Sequence, residues 1–323
     1  MCTAISFTAF DHYFGRNLDL EYCYKESVTV TPRNYPFEFR HAEKIPKHYS
    51  LIGVATVVGG YPLYYDGTNE EGLSMAGLNF HDNAYYGIPV KGKYNIAPFE
   101  LIPWILCQCK TVKEAQLLLE RTNLTETAFS PALPNTPLHW IVSDRTQSIT
   151  VEPMKEGLVI QDNYVGVLTN NPPFDYHLHH LKNYLQLSNQ DPENHLAPGL
   201  LLHPYSRGMG AMGLPGDLSS ASRFIRGVFT KFHSQKPKEE SAAVAQFFHI
   251  LSSVSMTDGT VKVGNSYEKT VYTSCCNTDR GIYYYTTYEN SQITAVHLHH
   301  ENIDSDQLVC YSLRRAANIL KEN

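Results

Sequence analysis

Cys2, the second residue of the chain, is the side chain best placed to do chemistry. Removal of Met1 would give Cys2 a free α-amine as well as its thiol, so that one Cα carries both a nucleophile and a base. Free α-amines have pKa values of about 7.7–8.0, so such an amine accepts a proton near neutral pH. Activation of a nucleophile by its own N-terminal amine is an established catalytic strategy. Taken alone, the residue leaves open the alternative of an unremarkable exposed cysteine.

Residues 14–19, FGRNLD in one-letter code, supply charges for the same chemistry. The alternating residues after Cys2 predict a strand, and a second strand returning beside it would bring Arg16 and Asp19 near the thiol. An arginine there favours the thiolate, and an aspartate orients the amine by a hydrogen bond. Gly15 allows a tight approach of another backbone. An ordinary surface ion pair is the alternative.

Eight short blocks of sequence resemble the choloylglycine hydrolase family, which contains bile salt hydrolases and penicillin V acylases. That family belongs to the N-terminal nucleophile hydrolases. The blocks occur in the family's order and span nearly the whole chain, from Met-Cys-Thr at the start to YYYTTYEN near the end. They are residues 1–3, 14–19, 69–80, 138–140, 167–172, 213–217, 222–224 and 283–290.

The resemblance implies acyl transfer, in which the Cys2 thiolate attacks an amide carbonyl and water later releases the acid. It also implies that Asn170 supplies a side-chain donor to the oxyanion and that Asn79 helps to complete the oxyanion hole. An uncharged amide with N–H groups suits that task. Without the resemblance, both asparagines are better interpreted as turn residues at strand ends.

Three charged residues complete the catalytic set that the resemblance implies. Asp19 is expected to hold the α-amine of Cys2, while Arg16 and Arg223 surround the sulfur. Without the resemblance, Arg223 is better interpreted as a cation on a helix surface.

The resemblance further implies an apolar pocket for a flat steroid, a ligand that needs few polar contacts. Penicillin V acylases commonly carry tyrosine where this chain has Asn79. We therefore favour hydrolysis of conjugated bile salts to free bile acid and glycine or taurine. The alternatives are hydrolysis of penicillin V or another small N-acyl amide, and non-catalytic binding of bile acids or lipids. The expected pocket residues are Leu18, Tyr24, Val58, Tyr65, Phe129, Leu133 and Leu138.

Phe129 and Leu133 lie on the proline-rich segment 125–137, which is predicted to be a loop. Apolar residues on a stiffened loop indicate a pocket wall. A loop folded onto the core explains them equally well.

Composition excludes several classes of protein. Apolar residues make up 42% of the 323, enough for a sizeable core, and the net charge of −6 argues against nucleic acid as the main partner. We find no signal-peptide pattern and no apolar stretch long enough to span a bilayer. The seven cysteines form no paired C-x-x-C motif. We expect a cytoplasmic protein with reduced thiols, no membrane association, no metal and no cofactor.

Two groups of histidines, at 177–180 and 297–300, are the only candidates for a metal site. No cysteine or carboxylate is placed to complete a recognisable ligand set. We therefore predict that these histidines are solvated.

The order of predicted elements is strands, then helices, then strands again from Thr270 onward. It favours an α+β fold of two stacked antiparallel sheets with helices outside, which agrees with the four-layer αββα sandwich of the family. Helices are predicted at 99–109, shortened by Pro103, and from Thr111 to a stop at Asn123, as well as at 222–232 and 241–254. No linker divides the chain, so we predict one domain over residues 1–323.

The long segment 190–216 is rich in proline and glycine. We predict that it is an arm reaching to a neighbouring subunit. The resemblance implies a homotetramer.

Overall fold

Two antiparallel sheets make up most of the protein, whose computed structural model describes residues Met1–Asn323. The helices are α1 (Leu101–Leu106), α2 (Val112–Glu120), α3 (Phe174–Leu181), α4 (Ser220–His233) and α5 (Glu240–Ser252), with single 3-10 turns at Pro98–Glu100, Lys182–Tyr184, Met209–Ala211 and Leu298–His300. The strands are β1 (Cys2–Thr8), β2 (His12–Leu20), β3 (Ser27–Thr31), β4 (Leu51–Val58), β5 (Tyr61–Tyr64), β6 (Asp66–Asn69), β7 (Ser74–Asn79), β8 (Tyr94–Ile96), β9 (Thr122–Leu124), β10 (Leu138–Ser143), β11 (Ser148–Met154), β12 (Gly157–Asp162), β13 (Val167–Leu168), β14 (Val261–Val263), β15 (Ser266–Asn277), β16 (Ile282–Thr287), β17 (Thr294–His297) and β18 (Val309–Ser312).

The first sheet carries the N-terminus in its interior. Its strand order is β13-β1-β2-β15-β16-β17, and β14 pairs with β15. The β1–β2 hairpin places Cys2 opposite Leu18 and Ala4 opposite Arg16. Because facing residues of a pair project to the same side of a sheet, Cys2, Arg16 and Leu18 share one face.

Gly15 allows β15 to lie against β2. A Cβ atom on Gly15 would overlap the carbonyl oxygen of Ser274 on β15. Only glycine fits this close approach, as predicted from the sequence.

The second sheet has the order β12-β11-β10-β7-β6-β4-β3-β18, and β5 pairs with β4. A small parallel pair, β8 and β9, lies apart from both sheets. α4 and α5 pack on the first sheet, α1 and α2 pack on the second, and β1 and β2 face β7 across the interior. The predicted α+β sandwich of stacked antiparallel sheets is therefore confirmed.

Apolar faces hold these layers together. Phe7 of β1 is buried against Phe247 of α5, with ring centroids 6.4 Å apart. Trp140 of the second sheet is buried in a separate cluster beneath α1 and α2. Burying a side chain of this size stabilises the fold by roughly 1.5–3 kcal/mol.

Local signals predicted most helix boundaries. Pro103 lies in α1, which is only six residues long. Thr111 caps α2, since its hydroxyl accepts the N–H of Glu114 over 3.2 Å. The predicted stop at Asn123 was wrong, because the helix ends at Glu120 and Asn123 lies in the β9 strand. None of the helices has the length and apolarity that crossing a membrane requires.

Candidate active site

Cys2 begins β1 and is almost completely buried, with 3% of its surface exposed. Its backbone N–H donates to Oδ1 of Asn170 over 2.8 Å. Its carbonyl oxygen accepts from Nη1 of Arg223 over 2.6 Å. Asn170 and Arg223, both predicted to be catalytic, therefore fix the backbone of Cys2.

Met1 extends the β1–β2 ladder by one residue. Its ammonium donates to the carbonyl oxygen of Asp19 over 2.8 Å, and the N–H of Asp19 donates back to the carbonyl of Met1 over 3.0 Å. The same ammonium forms an ion pair of 2.6 Å with Glu268. Burial raises the pKa of Glu268, against the lowering effect of the ammonium, and its second oxygen is buried without a partner.

The carboxylate of Asp19 faces β15 rather than solvent. One oxygen accepts from the hydroxyl of Thr270 over 2.6 Å, and the other is buried without a hydrogen bond. Thr270 lies directly opposite Asp19 in the β2–β15 register. Burial raises the pKa of Asp19, and the positive charges of Arg223 and the N-terminus oppose that rise. In the chain that retains Met1, Asp19 contacts the N-terminal residue through its backbone.

Arg16 projects from the first sheet to the second. Its Nη1 donates to the carbonyls of Tyr65 over 3.0 Å and Gly77 over 2.5 Å, while its Nη2 is buried without a partner. Burial acts to lower the pKa of Arg16, but nearby acidic groups, first among them Cys2 in its thiolate form, raise it above its ordinary value. The guanidinium is therefore a fixed positive charge beside the thiol.

Asp66 is a buried carboxylate that the sequence did not single out. The hydroxyls of Tyr272 and Tyr283 donate to its two oxygens over 2.6 and 2.5 Å. Burial raises the pKa of Asp66, and Arg16 opposes this rise. The tyrosine-rich segment 283–285 was the only sequence signal for this contact, and it gave no indication of the acidic partner.

Arg223 is fully buried on α4, so the alternative of a helix-surface cation is excluded. Besides the carbonyl of Cys2, it donates to the hydroxyl of Thr3 over 2.6 Å and to Oδ1 of Asn170 over 2.7 Å. Burial lowers the pKa of Arg223 below its ordinary value, and the negative charge of Asp19 opposes that shift. One guanidinium thus fixes both β1 and Asn170.

Asn170 also joins the two sheets. Its Nδ2 donates to the carbonyl oxygen of Asn79 over 2.8 Å, and its N–H donates to the hydroxyl of Ser220 over 2.8 Å. Asn79 ends β7, and its Oδ1 is buried without a partner. The two predicted oxyanion-hole residues are therefore in direct contact.

The prediction that His177 is solvated was wrong. His177 is fully buried because α3 packs on α4, and its ring stacks on Phe224 with centroids 4.9 Å apart. Burial lowers its pKa to about 4, and its Nε2 donates to the carbonyl oxygen of Asn170 over 2.8 Å. It is one of the contacts that fix Asn170. No three His, Cys, Asp or Glu side chains cluster so that they could hold a metal.

Some of the predicted pocket residues adjoin the catalytic set. Leu18 lies opposite Cys2, and Leu138 lies opposite Asn79. The carbonyl of Tyr65 accepts from Arg16. The hydroxyl of Thr56 bonds to the Tyr65 hydroxyl over 3.0 Å and donates to the carbonyl of Tyr24 over 3.2 Å. Half of the Tyr24 side chain is exposed.

Phe129 and Val58 adjoin a second group of aromatic rings, and Leu133 lies on the same loop as Phe129. Phe129 packs against Tyr61 and Phe99, with centroids 5.9 and 5.2 Å away. Val58 pairs with Tyr61 across β4 and β5. The N–H of Leu133 donates to the carbonyl oxygen of Ser130 within the loop. None of these contacts joins the group to Cys2.

Comparisons with known proteins identify the family and the fold. Residues 2–311 match the model of the linear amide C–N hydrolases, choloylglycine hydrolase family. A "Bile salt hydrolase/transferase" of Lactiplantibacillus plantarum is 52% identical, and the match covers 100% of both chains. A protein of the same name from Clostridium perfringens is 39% identical over 99% of both chains.

Solved structures show the same fold. A mutant conjugated bile acid hydrolase from Clostridium perfringens superposes with a TM-score of 0.93 at 35% identity, over 100% of both chains. The penicillin V acylase of Agrobacterium tumefaciens superposes with a TM-score of 0.78 at 18% identity, over 98% of this chain and 94% of its own. The second match concerns the fold alone.

Proposed function

The chain belongs to the choloylglycine hydrolase family of linear amide C–N hydrolases, and we propose that it hydrolyses conjugated bile salts to free bile acid and glycine or taurine. The observation that carries the proposal is the fixed position of Cys2 between Asn170 and Arg223. Relatives named for bile salt or conjugated bile acid hydrolysis over the full length of the chain support the choice of substrate.

In the acylation half of the reaction, the Cys2 thiolate attacks the amide carbonyl carbon and forms a C–S bond. The proton of the thiol passes to the α-amine that removal of Met1 has freed. The tetrahedral intermediate collapses with cleavage of the C–N bond, and the α-ammonium returns the proton to the leaving nitrogen. Glycine or taurine departs, and the acyl group remains on Cys2 as a thioester.

In the deacylation half, water attacks the thioester carbonyl. The α-amine accepts a proton from that water, the C–S bond breaks, and the proton restores the thiol. The second proton of the water stays on the acid, which leaves the site and releases that proton to solvent as it becomes a carboxylate. One base on the nucleophile's own residue thus serves both halves.

Four residues would position these groups. Asn170 holds the nitrogen that becomes the α-amine, and Arg223 fixes both Asn170 and the carbonyl of Cys2. Arg16 supplies a buried positive charge beside the sulfur. Asp19 pairs with Met1 before Met1 is removed, and it would then orient the free amine of Cys2.

Asn79 and Asn170 are the proposed donors to the oxyanion. Nδ2 of Asn170 carries two N–H groups, and one of them is used by the carbonyl of Asn79. The second remains for substrate. Loss of one oxyanion donor typically costs about 10²–10³ in kcat.

The proposed steroid site is formed by Leu18, Tyr24, Val58, Tyr65, Phe129, Leu133 and Leu138. The alternative substrate is penicillin V or another small N-acyl amide. Rates measured on glycocholate and on penicillin V with the same mature enzyme decide between them. A higher kcat/KM on glycocholate supports the proposal, and a higher value on penicillin V contradicts it.

We further propose one domain over residues 1–323 that assembles as a homotetramer through the arm at 190–216. This segment exposes apolar side chains, among them Leu196, Leu201 and Tyr205, with 78–89% of each accessible. Exposed apolar clusters of this kind mark interaction surfaces. A monomeric mass by light scattering would contradict the assembly.

A cytoplasmic location completes the proposal. All seven cysteines are free thiols in the structure. A reducing compartment keeps a catalytic thiol in its active form.

A further inference from the structure

A polar cavity, which we call the distal cavity, lies at the opposite end of β1 from Cys2. Its volume is about 510 Å³, and only three of its fifteen lining residues are hydrophobic. Ligand sites usually measure about 300–1,000 Å³. The walls come from Ser6–Thr8 of β1, the turn at 144–148, the segment 162–166 and the end of α4 with the residues that follow it.

Two lysines of this cavity lack acidic partners. Lys231 and Lys236 both line it, and neither takes part in an ion pair. The ammonium of Lys231 donates to the carbonyl oxygen of Val165 over 2.5 Å. Burial, and then the like charge of Lys236, lower the pKa of Lys231 to about 7. A bound anion would offset the cost of burying the Lys231 charge and would reduce the repulsion between the two lysines.

The other charged groups of the cavity form no ion pair with the lysines. Arg145 forms an ion pair with Asp279. The carboxylate of Asp144 accepts four hydrogen bonds, three of them from backbone N–H groups. Asp162 is exposed and makes no ion pair with either lysine. The two ammonium groups are therefore the charges of the cavity that lack a partner of opposite charge.

Two exposed aromatic rings adjoin the lysines. Tyr164 and Phe232 line the cavity with 72% and 58% of their surfaces exposed, and the Lys231 ammonium lies 5.1 Å from the centroid of the Phe232 ring. Exposed rings of this kind offer stacking surfaces for a flat ligand. We propose that the distal cavity binds a phosphate monoester that carries an aromatic ring, with its phosphate at Lys231 and Lys236.

Adenosine monophosphate is the probe for this site. Calorimetric titration of the mature enzyme at constant ionic strength is expected to show saturable binding. Lys236→Met, which removes the charge of an exposed side chain, should weaken binding by about tenfold or more, since a charge-assisted hydrogen bond contributes about 1.5–3 kcal/mol. The double variant with Lys231→Met should abolish binding. Lys231→Arg should retain it, because the positive charge is kept.

Lys238→Met is the matched control, because Lys238 is exposed, close in sequence and not part of the cavity lining. It should leave the affinity unchanged. An equal loss in Lys238→Met would mean that general surface charge attracts the probe, and the proposal would be overturned. Adenosine that binds as tightly as its monophosphate would also overturn it, as would the absence of binding at millimolar concentration.

Discussion

The backbone nitrogen of Cys2 and the side-chain oxygen of Asn170 are joined by a hydrogen bond of 2.8 Å. Removal of Met1 turns this nitrogen into the α-amine that serves as the base of the proposed reaction. Asn170 therefore already holds this nitrogen in place while it is still a peptide nitrogen. Arg223 binds the same oxygen over 2.7 Å, which limits rotation of the Asn170 amide.

Retention of Met1 should abolish turnover. The nitrogen of Cys2 is then part of a peptide bond and cannot accept the proton of the thiol. The test is to produce the protein while methionine aminopeptidase is inhibited, to determine the N-terminus by intact mass, and to assay glycocholate hydrolysis. Protein made in the same cells without the inhibitor, with Cys2 shown by intact mass to be the N-terminal residue, is the control and should be active. Normal turnover by Met1-bearing protein would refute the mechanism.

Cys2→Ala should fold normally and lose hydrolysis, because it removes the nucleophile and little core volume. Cys2→Ser should keep little activity, since an alkoxide forms far less readily than a thiolate. Thermal unfolding and glycocholate assays measure both properties. Iodoacetamide should inactivate the enzyme by labelling Cys2.

Cys23 and Cys310 are exposed and will also react with iodoacetamide. A variant with alanine at both positions is therefore the background for that experiment. Full activity after labelling of Cys2 has been verified by mass spectrometry would exclude Cys2 as the nucleophile.

Phe129→Ala and Leu133→Ala should each raise KM for glycocholate by roughly tenfold or more, because each buried methylene contributes about 0.8 kcal/mol. The effect on penicillin V should be smaller, since its phenoxyacetyl group covers less of the wall, and kcat on that substrate should change little. The measurement is steady-state kinetics of the wild type and both variants on the two substrates at one pH, so that each variant's loss on glycocholate is compared with its own loss on penicillin V.

The structure adds a control to this experiment, because Phe129 also packs on Tyr61 and Phe99. Thermal unfolding of both variants separates a loss of fold from a loss of substrate contact. Equal losses on the two substrates would mean that the loop supports the fold, and no change on either would mean that it is not a pocket wall.

Gly15→Ala should prevent or strongly destabilise folding, because the new methyl group would overlap the backbone of Ser274 and force β2 and β15 apart. Gly216→Ala is the matched control, since no atom lies within 4 Å of a Cβ built there and its backbone is unstrained. Soluble yield and Tm of the two variants give the answer. Similar Tm values for both would show that the β2–β15 contact relaxes without cost.

His12 should make the protein less stable as the pH falls from about 6.5 to about 4. Burial lowers its pKa in the fold to about 4, although Asp279 and Asp144 raise it and Arg145 and Lys231 lower it. The unfolded chain therefore binds a proton that the folded chain excludes, and stability rises with pH in this window, by at most about 3 kcal/mol.

Urea unfolding of His12→Asn across this pH range should show a shallower dependence than the wild type. The slope should not vanish, because burial lowers the pKa of His177 to about 4 as well. His195→Gln alters an exposed histidine and is the control. An unchanged slope in His12→Asn would contradict the prediction.

Local patterns in the sequence predicted the N-terminal hairpin that carries part of the candidate site. Alternation after Cys2 and the charges at Arg16 and Asp19 indicated a hairpin, and its register places Arg16 and Leu18 on the face of Cys2. The hairpin could be predicted because neighbouring strands and short turns depend on residues close in the chain.

The partners supplied by β15 were not predicted. Thr270 and Glu268 contact the N-terminal segment although they lie about 250 positions further along the chain. A bulge between Thr270 and Tyr272 also shifts the register of the β2–β15 pair. No local pattern encodes a pairing between strands so distant. Asp66 was missed for the same reason, because its two tyrosine partners belong to β15 and β16.

The partners of Met1 have a consequence for the order of events during synthesis. Two backbone hydrogen bonds with Asp19 and an ion pair with Glu268 hold the initiator residue once β15 is in place. Glu268 leaves the ribosome long after the N-terminus has emerged. We therefore expect the aminopeptidase to act on the nascent chain, in competition with closure of the sheet. A chain that folds with Met1 in place would be stable and inactive. The active fraction of a preparation would therefore equal the fraction of chains that lost Met1 before the sheet closed.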